Sequence, residues 1–149
     1  MVSDPAPLPD LTRRDTFRHW ARIPIRYNDL DTLGHVNNAA TSVYLEQARC
    51  ELLYPMIGPE RKPEIDLVMA RLIIDYRREL TFPGVIDVGS SVVRQGTKSF
   101  HLAHGIFRAG TDDCVSTGES ILVWYNLVHR ASMVPPDDIR VAMTGFAIG

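Results

Sequence analysis

The sequence predicts an α+β domain: an antiparallel sheet of about five strands with one long helix laid across it. Three observations carry that prediction. A single stretch after Asn38 shows helical spacing, with no glycine and no proline before Pro55. From Leu67 onward the apolar period switches to two. The alternating runs are joined mostly by short turns, which implies an antiparallel meander rather than crossover connections. With 149 residues, 45% of them hydrophobic, the chain can bury one core.

The elements follow in order. "MVSDPAPLPDLTRRD" holds Pro5, Pro7 and Pro9 and lacks the apolar core of a signal peptide. Residues 1–17 are therefore expected to be a flexible N-terminal arm, and residues 18–149 a single domain. "FRHWARIPIRYND" reads as a first strand with Ile23 and Ile25 on one face, Pro24 being tolerable at an edge. "NAATSVYLEQARCELLYPM" is the long helix, its stripe read as Ala40, Val43, Tyr44, Gln47 and Ala48. Asn37 or Asn38 caps it and Pro55 stops it.

"IGPERKPEID" is a loop rich in proline and charge. Strands then alternate through Val68, Ala70, Leu72, Ile74 and Tyr76; through Ile86, Val88, Ser90 and Val92; and through Phe100, Leu102, His104 and Ile106. The longest strand sets Glu119, Ile121, Val123 and Tyr125 against Ser120, Leu122 and Trp124. "FPG" and "AGTDD" are turns, and "PPDDIRVAMTGF" makes a short terminal helix. His101 and His104 are read as structural. The longest strands are apolar on both faces, so the sheet is expected to find a partner copy.

Charge and composition exclude some classes of function. The net charge is −2, with no basic excess to suggest a nucleic-acid surface. No apolar run reaches membrane-spanning length. Cys50 and Cys114 are far apart and match no metal spacing, which suits a reduced, cytoplasmic chain.

The chemistry concentrates in "RYNDLDTLGHVNN", Arg26 to Asn38, between the first strand and the helix. Counted as a calcium loop from Asp29, it has Asp31 and Gly34 in place, but Leu33 and Ala40 stand where two ligands are needed. No metal site is expected. One reading of the run is purely architectural, with Asn capping the helix and Gly34 taking a positive φ. The other uses the same geometry for catalysis. A helix N-terminus offers unpaired N–H groups to a developing oxyanion. A carboxylate just upstream can face the carbon those N–H groups polarise.

Those residues resemble a known family. "RYNDLDTLGHVNNAATSVYLEQAR" is similar to the signature of the hotdog-fold acyl-CoA thioesterases of the 4-hydroxybenzoyl-CoA thioesterase type. The matches are Arg26, Tyr27, Asp29, Asp31, Gly34, His35, Val36, Asn37, Asn38, Tyr44, Glu46, Ala48 and Arg49. The resemblance runs over roughly residues 20 to 128.

It implies a curved sheet wrapped around the central helix, paired into homodimers or homotetramers with active sites at the subunit interface. It implies hydrolysis of an acyl-CoA thioester without a cofactor, acyl carrier protein being a possible alternative carrier. Asp31 takes the position of the catalytic carboxylate, as nucleophile or general base, and the Asn38 amide that of the oxyanion donor. Gly34 lets the loop pass close to the thioester. His35 and Asn37 line the site or fix the loop, and Glu46 is a second helix carboxylate or a partner for Arg49 or for a strand arginine. Thr97, Lys98 and Ser99 are the matching turn for coenzyme A phosphates, with Arg77, Arg78, Arg94 and Arg130 as further cations. Thr41 stands where the family usually has tyrosine, near the acyl pocket. A non-catalytic acyl-thioester binder and a hydratase or dehydratase on the same fold are the competing readings.

Overall fold

In the computed structural model, which describes residues 7–58 and 62–149, the order is β1 (His19–Pro24), α1 (Asn38–Ile57), β2 (Asp66–Tyr76), β3 (Val85–Gln95), β4 (Ser99–Arg108), β5 (Cys114–Asn126), β6 (Ala131–Ser132) and α2 (Asp137–Thr144). The sheet runs β1-β3-β4-β5-β2, all antiparallel, and the two-residue β6 adds a short pairing to β5. This is the hotdog fold: a curled antiparallel sheet closing on one long helix. Neighbours in the meander are neighbours in sequence, except that α1 separates β1 from the rest and β2 crosses to the far edge.

Helix α1 buries Thr41, Tyr44, Leu45, Ala48, Arg49, Leu52 and Leu53. That is an i, i+3, i+4 stripe displaced from the one read off the sequence, and Val43 is exposed. Pro55 does not end the helix: it sits inside the last turn, and Gly58, at φ 100°, receives the chain as it leaves. The concave face of the sheet meets this stripe with Ile86, Val88, Leu102 and Ile106. At their centre His104 is fully buried between the Ser90 and Ser120 hydroxyls, each 2.9 Å from a ring nitrogen. Burial pushes its pKa down to about 3, so the ring is neutral. His101, on the other face, pairs with Glu119 at 2.9 Å.

Residues 1–6 of the expected N-terminal arm lie outside the described residues, and Arg14 and Phe17 at its end contact the sheet. Phe17 is buried across Gly89 and Gly105, which stand opposite each other on β3 and β4. A Cβ on either glycine would come within 2.6 Å of the Phe17 ring, so the glycines make the slot. Arg14 stacks 4.2 Å over Trp20 and donates to Asp87, which Arg22 also holds. The edge strand β2 carries a bulge between Met69 and Arg71, which breaks the uninterrupted alternation read from the sequence. Among the described residues no helix is long and apolar enough to cross a membrane.

Candidate active site

The strand-to-helix loop is built by Asp29. A 3-10 turn over Tyr27–Asp29 swings its carboxylate inward, where it accepts from the Arg26 backbone N–H at 2.8 Å, the Arg26 guanidinium at 2.9 Å and the Tyr44 hydroxyl at 2.7 Å. Burial opposes its ionisation. The Arg26 and Tyr44 hydrogen bonds overcome that and hold the carboxyl below the usual range. Burial, and then the Asp29 contact, push the Tyr44 hydroxyl well above its ordinary pKa. The Asp29 carbonyl accepts from Asn37 N–H at 2.8 Å, and Leu80 accepts from Val36 N–H at 2.8 Å, which pins the loop to the chain after β2.

Asp31 is only half-buried and lines a cavity. Its Oδ1 accepts from Leu33 N–H at 2.8 Å and His35 N–H at 3.2 Å. Its Oδ2 has no hydrogen-bond partner among the described residues. Gly34, at φ 78°, closes the turn, with its N–H on the Asp31 carbonyl at 3.1 Å. A Cβ there would meet no atom of the chain within 4 Å, so within this chain the glycine answers the backbone angle and not a close approach.

Asn37 is the helix cap, its side chain accepting from Ala39 N–H at 2.8 Å. Ala40 N–H bonds the Asn37 carbonyl at 2.9 Å. Across residues 36 to 40, only Asn38 N–H has no partner among the described residues. Asp31 and Asn38 line one cavity of about 310 Å³, together with His35, Thr41, Tyr76 and Ser116. Arg77, Arg78 and Glu79 complete its rim; His35 Nε2 lies 3.1 Å from Glu79, and Arg78 pairs with Asp113.

Two expected groups fall elsewhere. Glu46 lies in a separate cavity of about 440 Å³ between α1 and β2, two turns along the helix, with Arg49, Cys50 and an apolar wall that includes Leu53 and Met69. No hydrogen bond joins Glu46 to Arg49 among the described residues. Arg49 is buried with one guanidinium nitrogen unpartnered, and burial lowers its pKa against the field of Glu46. Thr97, Lys98 and Ser99 lie at the β3–β4 turn. Strand β3 starts beside the Asp31 loop and runs ~30 Å before reaching that turn. Within one chain they do not reach Asp31. Sequence reading passed over Tyr76 as a site residue and did not single out Ser116. Their only signal is sheet register, which sets the two opposite each other.

The thioesterase-like superfamily model matches residues 25–143, spanning the loop, the helix and the whole sheet except β1. The chain belongs to the thioesterase-like superfamily. Among solved structures it is similar to a thioesterase from Thermus thermophilus crystallised with coenzyme A and zinc, at 31% identity and TM-score 0.75 over 85% of this chain and 98% of that one. A protein from Pseudomonas aeruginosa shares the fold at TM-score 0.86 and 23% identity, over 92% and 96%. A 1,4-dihydroxy-2-naphthoyl-CoA thioesterase from Synechocystis does so at TM-score 0.76 and 14% identity, over 85% and 95%. No curated protein matches the sequence. As a thioesterase-superfamily member the chain carries a thioester-hydrolase scaffold. Among its described residues no three His, Cys, Asp or Glu side chains group as a metal site.

Proposed function

We propose that the protein hydrolyses an acyl-CoA thioester to the free acid and coenzyme A, with Asp31 as nucleophile or general base and Asn38 N–H as oxyanion donor. The observation that carries this is the pairing of two vacant groups in one cavity. Asp31 keeps one carboxylate oxygen free while backbone N–H groups fix the other. Asn38 keeps its N–H free while its neighbours are bonded. A thioester carbonyl on that N–H has its oxygen at the positive end of α1 and its carbon open to Asp31 or to a water that Asp31 deprotonates. Water adds, the C–S bond breaks and the thiol leaves with a proton. Thr41 and Ser116 bound the space beside the reacting carbon.

The working unit is a pair of chains joined along β2. That edge exposes Val68 and Met69, an apolar strand edge left open to pairing. Antiparallel pairing of two β2 strands turns the partner end for end. Its Thr97–Lys98–Ser99 turn and its Glu46 cavity then lie on the Asp31 side. This gives the distant turn a route to the coenzyme A phosphates and gives the apolar cavity a route to the acyl group.

The test is thiol release from a panel of acyl-CoAs by wild type and Asp31→Asn. Wild type should turn over at least one of them, and the variant should lose a factor of about 10³ while remaining folded. An active Asp31→Asn protein sinks the assignment.

A further inference from the structure

Tyr76 is the last residue of β2 and is half exposed, yet its hydroxyl is not left to solvent. It donates to the Asn38 carbonyl at 2.8 Å, joining the edge strand to the first residue of α1 across 38 positions of sequence. A carbonyl at the start of a regular helix already accepts from the residue four positions on. The Tyr76 bond is therefore a second one and rescues no orphaned group. What it adds is position. The peptide entering Asn38 is held from upstream by the Asn37 cap and the Asn37–Asp29 bond. Tyr76 holds the same residue from downstream, inside the cavity that Asp31 lines.

We infer that Tyr76 is a positioning residue for the hydrolysis: its hydroxyl fixes Asn38 so that the free N–H stays aimed at the thioester oxygen. The inference rests on the reading of Asn38 given above. It assigns Tyr76 no contact with the reacting atoms. The register pairing of Tyr76 with Ser116 on β5 sets the ring's base in the sheet, so the hydroxyl transmits the position of the sheet to the helix start.

Tyr76→Phe removes only the hydroxyl. The expected result is a fall in kcat of about tenfold with KM held within twofold, at a melting temperature close to that of wild type. A tie that is only architectural moves the melting temperature and leaves kcat per folded molecule unchanged.

A second measurement separates this inference from the one beneath it. Two inert acyl-CoA analogues are compared: a ketone in which CH2 replaces the thioester sulfur, and a thioether that lacks the carbonyl oxygen. Wild type should bind the ketone more tightly, and Tyr76→Phe should narrow that ratio while leaving the thioether affinity alone. If wild type itself does not favour the ketone, the Asn38 reading falls and Tyr76 with it. If wild type favours the ketone and the variant keeps both the ratio and kcat, Asn38 stands and Tyr76 is no positioning residue.

Discussion

Asp29 and Asp31 are the same residue type two positions apart on one loop, and the fold treats them as opposites. Asp29 is 4% exposed and both its oxygens are taken, by Arg26 and Tyr44. Asp31 is half-buried with one oxygen fixed by two backbone N–H groups and one left free. Asp29 closes the 3-10 turn over Tyr27–Asp29 and is buried, while Asp31 lies two residues beyond it and lines an open cavity. A carboxylate whose every lone pair is engaged is a structural part. One that is oriented but still has a vacant oxygen is equipped for chemistry. On the proposed function, the chemical half of the loop depends on the structural half: Asp29 fixes the chain that carries both Asp31 and the Asn37 cap.

Exchanging the damage is the sharpest way to break this comparison. Asp31→Asn should remove turnover by about 10³-fold with little loss of stability, as measured by thiol release and thermal melting. Asp29→Ala should act the other way round. It leaves the buried Tyr44 hydroxyl without its acceptor and frees the loop, costing about 2–4 kcal/mol of stability. In a chain of this size that lowers the melting temperature by several degrees, roughly 2–4 °C per kcal/mol. If Asp29→Ala melts like wild type and is merely inactive, Asp29 belongs to the chemistry and the division fails.

A smaller effect is expected at the turn between loop and helix. Gly34→Ala meets no steric obstacle in the chain but must hold φ near 78°. The cost is about 1 kcal/mol of backbone strain, seen as a modest fall in melting temperature. Because the strain sits on the Asp31 turn, activity should fall more than stability does. Equal and negligible changes in both would show that the turn does not control Asp31.

Much of this was legible in the sequence because its signals were local. Absence of glycine marks α1, alternation marks β3 to β5, and "DLDTLGHVNN" marks the junction. The stripe of α1 was misjudged because Thr41 and Arg49, both buried, count as polar in a hydropathy pattern. The bulge in β2 left no compositional trace. The anchored N-terminal segment depended on a slot that exists only when Gly89 and Gly105 pair across two strands. The site divides the same way. Asp31, Asn38, His35 and Thr41 are brought together by a loop and one helical turn. Tyr76 and Ser116 join them only through register between β2 and β5. The motif gave no hint that Thr97 to Ser99 lie a full strand length away, since a match of short segments carries no distance between them.

Acid gives the smallest effect and the finest discrimination. The folded state holds the Asp29 carboxyl below its ordinary range, through Arg26 and Tyr44 bonds that outweigh burial. A carboxylate with a depressed folded pKa contributes stability that is complete above the unfolded value, about 3.9. That contribution is lost as pH falls through the folded value. Asp29→Asn lacks it at every pH. The melting-temperature gap between wild type and Asp29→Asn should therefore be constant from neutrality down to about pH 4 and shrink below it. Asp87, held low chiefly by Arg22, is present in both proteins and cancels from the difference. A gap that stays constant down to about pH 3 would mean that the lost stability is packing around Tyr44 and not the charge of Asp29, and the structural half of the loop would then rest on shape alone.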